Sequence, residues 1–137
     1  MIPSGSSLWY GDIADMDVRI VVKNSVRIAA IDSSEVIIFD GQTALDCAAT
    51  VFYEHDCQTI VINKAAITDD FFNLSTGVAG EVAQKFVNYR FRLAIIGDFS
   101  GYTSKPLHDF IYESNRGRHL LFLSDEDTAI DKLSAMS

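Results

Sequence analysis

The chain has 137 residues, of which 48% are hydrophobic and 22% charged, with a net charge of −8. That length suits a single domain able to bury a core, and that hydrophobic content excludes a largely disordered chain. The acidic balance argues against a nucleic-acid or anionic-membrane role, because no dense basic run is present and Arg116-Gly117-Arg118 is too short to serve as one.

Residues 1–16 read as a separate flexible segment, with Pro3-Ser4-Gly5-Ser6-Ser7 as its linker-like run and Leu8-Trp9-Tyr10 as a small apolar cluster. No basic-then-apolar leader is legible at Met1–Tyr10, and no apolar run approaches the roughly 20 residues that span a bilayer. The two cysteines, Cys47 and Cys57, are too few for a secreted disulfide scaffold. The expected location is the reducing cytoplasm.

Residues 17–137 read as one α/β domain. Val18–Val22 is rich in β-branched residues and predicts a strand. Lys23-Asn24-Ser25 predicts a turn, and Val26–Ile31 a second strand closing a hairpin. Glu35–Phe39 adds a short extended piece. Asp40 stands where a helix N-cap belongs, and Leu45, Ala48, Ala49 and Phe52 follow at helical spacing to about His55. Gln58–Ile62 predicts a short buried strand. A polar stretch, Asn63–Leu74, is anchored by Phe71 and Phe72. Ser75 and Thr76 then precede a helix with the apolar face Val78, Val82, Phe86 and Tyr89.

Phe91–Ile96 predicts a strand, followed by a loop at Asp98–Thr103. Ser104 is a plausible N-cap for a third helix, with Pro106 tolerated in its first turn and Leu107, Phe110, Ile111 and Ser114 on its inner face. Gly117 ends that region. His119–Leu123 is the last strand. Ser124 with Asp125-Glu126-Asp127 starts a final helix packed by Ile130 and Leu133. The order ββαβαβαβα predicts a mixed, mostly parallel sheet covered by helices, with the hairpin supplying an antiparallel edge.

In open α/β sheets, binding sites gather beyond the carboxyl ends of the parallel strands. Two polar loops leave those ends, and from them Asn63, Lys64, Asp98, Ser100, Tyr102, Thr103 and Ser104 are the candidate ligand-binding residues. Gly77-x-x-Gly80 lacks the Lys-Ser/Thr pair of a phosphate loop, so close backbone packing explains its glycines better. His55-Asp56-Cys57 has no second Cys/His pair at metal-site spacing, and no metal or other cofactor is expected. His108 falls four residues after Ser104, but the G-x-S-x-G nucleophile turn is absent and no complete catalytic set is legible. Glu81, one turn into the second helix, is expected to complement the helix dipole.

The run Leu74-Ser75-Thr76-Gly77-Val78-Ala79-Gly80-Glu81-Val82-Ala83-Gln84-Lys85-Phe86 resembles a bacterial family, domain-of-unknown-function family 4180. So do Leu93-Ala94-Ile95-Ile96-Gly97-Asp98-Phe99-Ser100 and Asp109-Phe110-Ile111-Tyr112-Glu113-Ser114-Asn115-Arg116-Gly117. The resemblance runs from about Val18 to Leu133 and carries no assigned activity.

The hairpin-first βα order is also similar to the STAS domain of anti-sigma-factor antagonists. In that family, the turn before the second helix carries an acidic residue, then a serine that a partner kinase phosphorylates, which breaks the complex. The similarity makes Ser75 and Thr76 candidate phospho-acceptor or interaction residues, with Leu74 at the family's acidic position. It implies a regulatory module with a protein partner. The alternative is a small-molecule-binding domain or enzyme built on the two polar loops. The hairpin edge could also pair with another copy of the chain.

Overall fold

The computed structural model describes residues 17–136. The segment 1–16, read above as flexible, lies outside the described residues, as does Ser137. Strands β1 (Asp17–Lys23) and β2 (Val26–Asp32) are followed by α1 (Gly41–His55), β3 (Thr59–Asn63), α2 (Val78–Tyr89), β4 (Arg92–Ile96), α3 (Lys105–Asn115), β5 (Leu120–Leu123) and α4 (Glu126–Ala135). Between β3 and α2 the chain makes three 3₁₀ turns, Lys64–Ala66, Asp69–Phe72 and Leu74–Thr76.

The β1–β2 hairpin closes over two residues, with Lys23 opposite Val26. Asn24 and Ser25 both take positive φ, 53° and 67°, the signature of the type I′ turn that matches strand twist. The sheet order is β1-β2-β3-β4-β5, antiparallel at the first pair and parallel at the other three. The parallel strands therefore step in one direction only. Right-handed crossovers that all step the same way place their helices on the same face.

The two cores reflect that topology. Ala29, Ile31, Ile60, Ile62, Leu93, Ile95 and Phe122 face α1, α2 and α3. The alternate residues Ile28, Val61, Ala94 and Leu121 face Ala129, Ile130 and Leu133 of α4. The helix starts follow their caps. Asp40 forms a capping box with Thr43, Ser104 accepts from the Leu107 N–H, and Asp125 accepts from that of Thr128.

Two local expectations differ from what forms. Glu35–Phe39 makes a single bridge, Ile38 to Ile67, because the chain there must turn into Asp40. On α1 the buried stripe is Ala44, Cys47, Ala48 and Val51, small residues that let the helix sit close on the sheet. Ala49 is exposed, and Phe52, 42% exposed, instead covers the edge of Phe91 at 6.1 Å. Ser75 and Thr76 do precede α2, whose N-cap is Gly77.

Close packing among the described residues does not explain Gly77 or Gly80, since a Cβ at either would meet none of them within 4 Å. Gly77 is required by its φ of 82°. Gly80 is exposed inside a helix, and nothing in the structure explains it. Gly80→Ala is therefore expected to raise stability by about 0.5–1 kcal/mol, read as a higher urea midpoint with an unchanged slope. Among the described residues, no helix is long and apolar enough to cross a membrane.

Candidate functional site

The loops after β3 and β4 meet above the carboxyl ends of the sheet, over a cluster of aromatic rings. Phe72 stacks on Tyr102 at 5.1 Å and lies 6.0 Å from Phe99, which packs edge-on against Phe122 at 5.4 Å. Lys64 ties the loops together. Its Nζ donates to the Asp98 carbonyl at 3.0 Å and sits 4.7 Å from the centre of the Tyr102 ring. Gly97 leaves room for that reach, because a Cβ there would press on the Lys64 stem at 2.9 Å.

The remaining candidates are held by short-range bonds. The Asn63 side-chain amide accepts from the Ser33 N–H at 2.9 Å and donates to the Ser33 carbonyl at 2.7 Å, copying a strand partner. Asp98 Oδ1 accepts from the Ser100 N–H at 2.9 Å and from its hydroxyl at 2.6 Å. Those two bonds, the hydroxyl's first and then the N–H, with a smaller contribution from Lys64, hold the exposed Asp98 carboxyl below its ordinary range. Ser104 caps α3. Thr103 is exposed, with no hydrogen bond among the described residues.

Ser75 and Thr76 lie in the last 3₁₀ turn before α2, and both are exposed. The Ser75 hydroxyl donates to Asn73 Oδ1 at 2.7 Å, while Thr76 Oγ1 lies 2.6 Å from the Asp70 carbonyl and 2.9 Å from that of Asn73. The loops thus bring Lys64, Asp98, Ser100 and Tyr102 together. Asn63 serves the β2 end and Ser104 the α3 start.

Nearby groups complete the account. His108 Nε2 donates to the Tyr102 carbonyl at 2.5 Å, so the imidazole braces the loop and does not meet the Ser104 hydroxyl. Glu81 does more than complement its own helix. Its carboxylate accepts from the Gly41 N–H and so serves the start of α1 as well. A Cβ at Gly41 would collide with that side chain. Both cysteines are buried free thiols. Burial, then the neighbouring Asp46, pushes the Cys47 thiol up to about 12, far from a reactive thiolate.

At the opposite end, where β2, β3 and β4 begin, lies an open cleft of about 420 Å³. Arg27, Arg90 and Arg92 line it with Asp56, Gln58 and Thr59. Arg27 Nε donates to the His55 carbonyl at 3.1 Å. The Arg90 and Arg92 guanidinium groups make no hydrogen bond or ion pair among the described residues. Partial burial, then the neighbouring Arg118, pulls the Arg92 guanidinium below its ordinary range.

Sequence reasoning passed over this end because the arginines are scattered rather than run together. The signal that was available is their placement. Arg27, Arg92 and Arg118 each stand within two residues of the first residue of a parallel strand, and parallel strands begin side by side.

The chain is thus an α/β domain wound in one direction, with an interlocked loop platform at one end of its sheet and an arginine-lined cleft at the other. It belongs to the family described as Domain of unknown function (DUF4180), which matches residues 23–133. No curated protein and no solved structure matches the chain.

Proposed function

We propose that this domain is a STAS-like regulatory module that acts by binding a protein partner, with the Ser75 turn at the centre of its contact surface, and that it is not an enzyme. The state of Ser75 carries this reading. The residue is exposed, yet it is held in place by its bond to Asn73 and by the Thr76 bonds beneath it. An exposed surface that is already ordered loses little entropy on docking.

Phosphorylation would remove the proton that Ser75 donates to Asn73. It would also add a charge of about −1.5 to −2 beside the preceding 3₁₀ turn, which carries Asp69 and Asp70 and whose Asp70 carbonyl Thr76 contacts. Like charges crowded there oppose the docked geometry, so the modified turn releases its partner. The absence of an activated nucleophile among the candidates supports the non-catalytic part. Ser100 meets Asp98, but a carboxylate held below its usual range is a weak base.

A second reading, a small-molecule-binding domain or enzyme using Lys64, Asp98, Ser100, Tyr102 and Thr103, is favoured by one observation. Lys64 brings both loops to one place.

The test is affinity capture from native extract with the parent chain, Ser75→Ala and Ser75→Asp. A stoichiometric partner held by the first two and lost from Ser75→Asp is the expected result. A partner held equally by Ser75→Asp would overturn the role of the turn. No partner, with no phosphate on Ser75 or Thr76 by mass spectrometry, would transfer the assignment to the Lys64 and Asp98 loops.

A further inference from the structure

From the cleft at the amino ends of β2, β3 and β4, we infer a binding site for a dianionic phosphate group, carried by a small molecule and gripped by Arg27, Arg90 and Arg92. The site is independent of the Ser75 turn, which lies beyond the other end of the sheet.

Charge is the first argument. The whole chain carries −8, yet among the described residues the cleft is lined by three guanidinium groups and one carboxylate, that of Asp56, which leaves +2. Arg118 stands close enough to Arg92 to add to that field. Among the described residues, no carboxylate lies within ion-pair distance of Arg90 or Arg92. An acidic protein that gathers unpaired arginines into a recess has a place where an anion is favoured.

Backbone conformation is the second argument, and it is independent of charge. Four non-glycine described residues take positive φ, and three of them line this cleft: Ser25 at 67°, Asp56 at 53° and Arg90 at 61°. Asp56 and Arg90 are the left-handed C-caps of α1 and α2, positions that glycine fills most cheaply. Ser25 takes the second place of a type I′ turn, where glycine is again preferred. At all three positions a side chain is kept where the backbone favours none. Non-glycine residues in left-handed conformation cluster at binding sites because the strain keeps a useful side chain in place.

A purely structural explanation covers only part of this. Arginines near helix C-termini can serve the free carbonyls there. Arg27 does so for His55. Among the described residues, the Arg90 and Arg92 side chains bond no carbonyl, and their donors remain available there.

The chemistry of the lining selects the ligand class. Guanidinium forks match the paired oxygens of phosphate. The Ser25 and Thr59 hydroxyls and the Gln58 amide offer neutral donors for the remaining oxygens. A phosphomonoester carries close to two negative charges at neutral pH and balances the lining charge of +2. The volume, about 420 Å³, suits a small ester. A polynucleotide is disfavoured because no basic track leads away along this acidic chain.

The test is calorimetric titration of the full chain with inorganic phosphate, with glycerol 3-phosphate, and with acetate as a monoanion. Saturable one-to-one binding of the phosphates, with acetate at least about tenfold weaker, is the expected result. Tighter binding of glycerol 3-phosphate than of phosphate would support an ester as the ligand, and equal binding would overturn the ester and leave orthophosphate itself.

Arg90→Gly is the decisive variant, because glycine suits the left-handed backbone. Its Tm is expected at or above that of the parent chain, while phosphate affinity falls about tenfold or more. Arg27→Lys keeps the charge but loses the fork, and it is expected to weaken binding as well. Undetectable binding of both phosphates to the parent would overturn the inference. So would parent-like affinity in Arg90→Gly, or acetate binding as tightly as phosphate.

Discussion

Phe71→Ala is expected to cost about 3–5 kcal/mol, enough to unfold much of the population of a domain with ordinary stability. The residue sits in a 3₁₀ turn between β3 and α2, where a substitution would conventionally be harmless. Its ring is nonetheless fully buried. It lies 5.0 Å from Phe72 and 6.0 Å from Phe122 on β5, so it ties the long connection to the far side of the sheet. Truncation would leave a cavity beside Phe72 and Phe122, under a turn that also packs on α2. Urea unfolding followed by circular dichroism should give a lower midpoint. A loss below about 1 kcal/mol would mean that the connection relaxes around the gap and is not part of the core. Because Phe72 beside it carries Tyr102, the same variant is expected to loosen the Lys64 and Asp98 platform before the chain unfolds globally.

The architecture was legible because two periodicities alternate cleanly along the chain. Runs such as Ile60–Ile62 and Leu93–Ile95 are apolar on both faces, as a strand covered by helices on either side must be. Caps at Asp40 and Ser104 marked helix starts by chemistry that is local in sequence. The α1 face was harder to place, since Ala44, Cys47 and Ala48 carry weak hydrophobic signals, yet only small residues allow that close approach.

The site was less legible, for a topological reason. Carboxyl-end crevices open where strand order reverses. Here β2 to β5 never reverse, and the loops expected to flank a crevice lean on each other through Lys64. The arginine cleft forms from residues 27, 56, 90 and 92, which only the parallel alignment of strand starts brings together. No window along the sequence contains it. The left-handed backbone at Asp56 and Arg90 was equally hidden, because neither is a residue that announces such a conformation as glycine does.

Asn115→Ala is expected to destabilise the domain by about 2–4 kcal/mol and to make it self-associate. Among the described residues strand β5 ends the sheet, and its outer edge would present unpaired backbone groups. Asn115, the last residue of α3, closes that edge. Its Oδ1 accepts from the Phe122 N–H at 2.7 Å and its Nδ2 donates to the Phe122 carbonyl at 3.1 Å. One side-chain amide thus pairs with both backbone groups of one residue, as the next strand would. Phe122 is 4% exposed, so water cannot readily replace the lost partner, and each orphaned group costs about 1–3 kcal/mol. The freed edge is also apolar, Leu120-Leu121-Phe122-Leu123, and suits pairing with a second molecule. Equilibrium unfolding should register the first effect. Light scattering against protein concentration should register the second, with the parent chain as reference at each concentration. A variant that loses stability and shows no added association would limit Asn115 to satisfying Phe122. If stability is unchanged, water reaches the β5 edge and the amide pairing contributes nothing net.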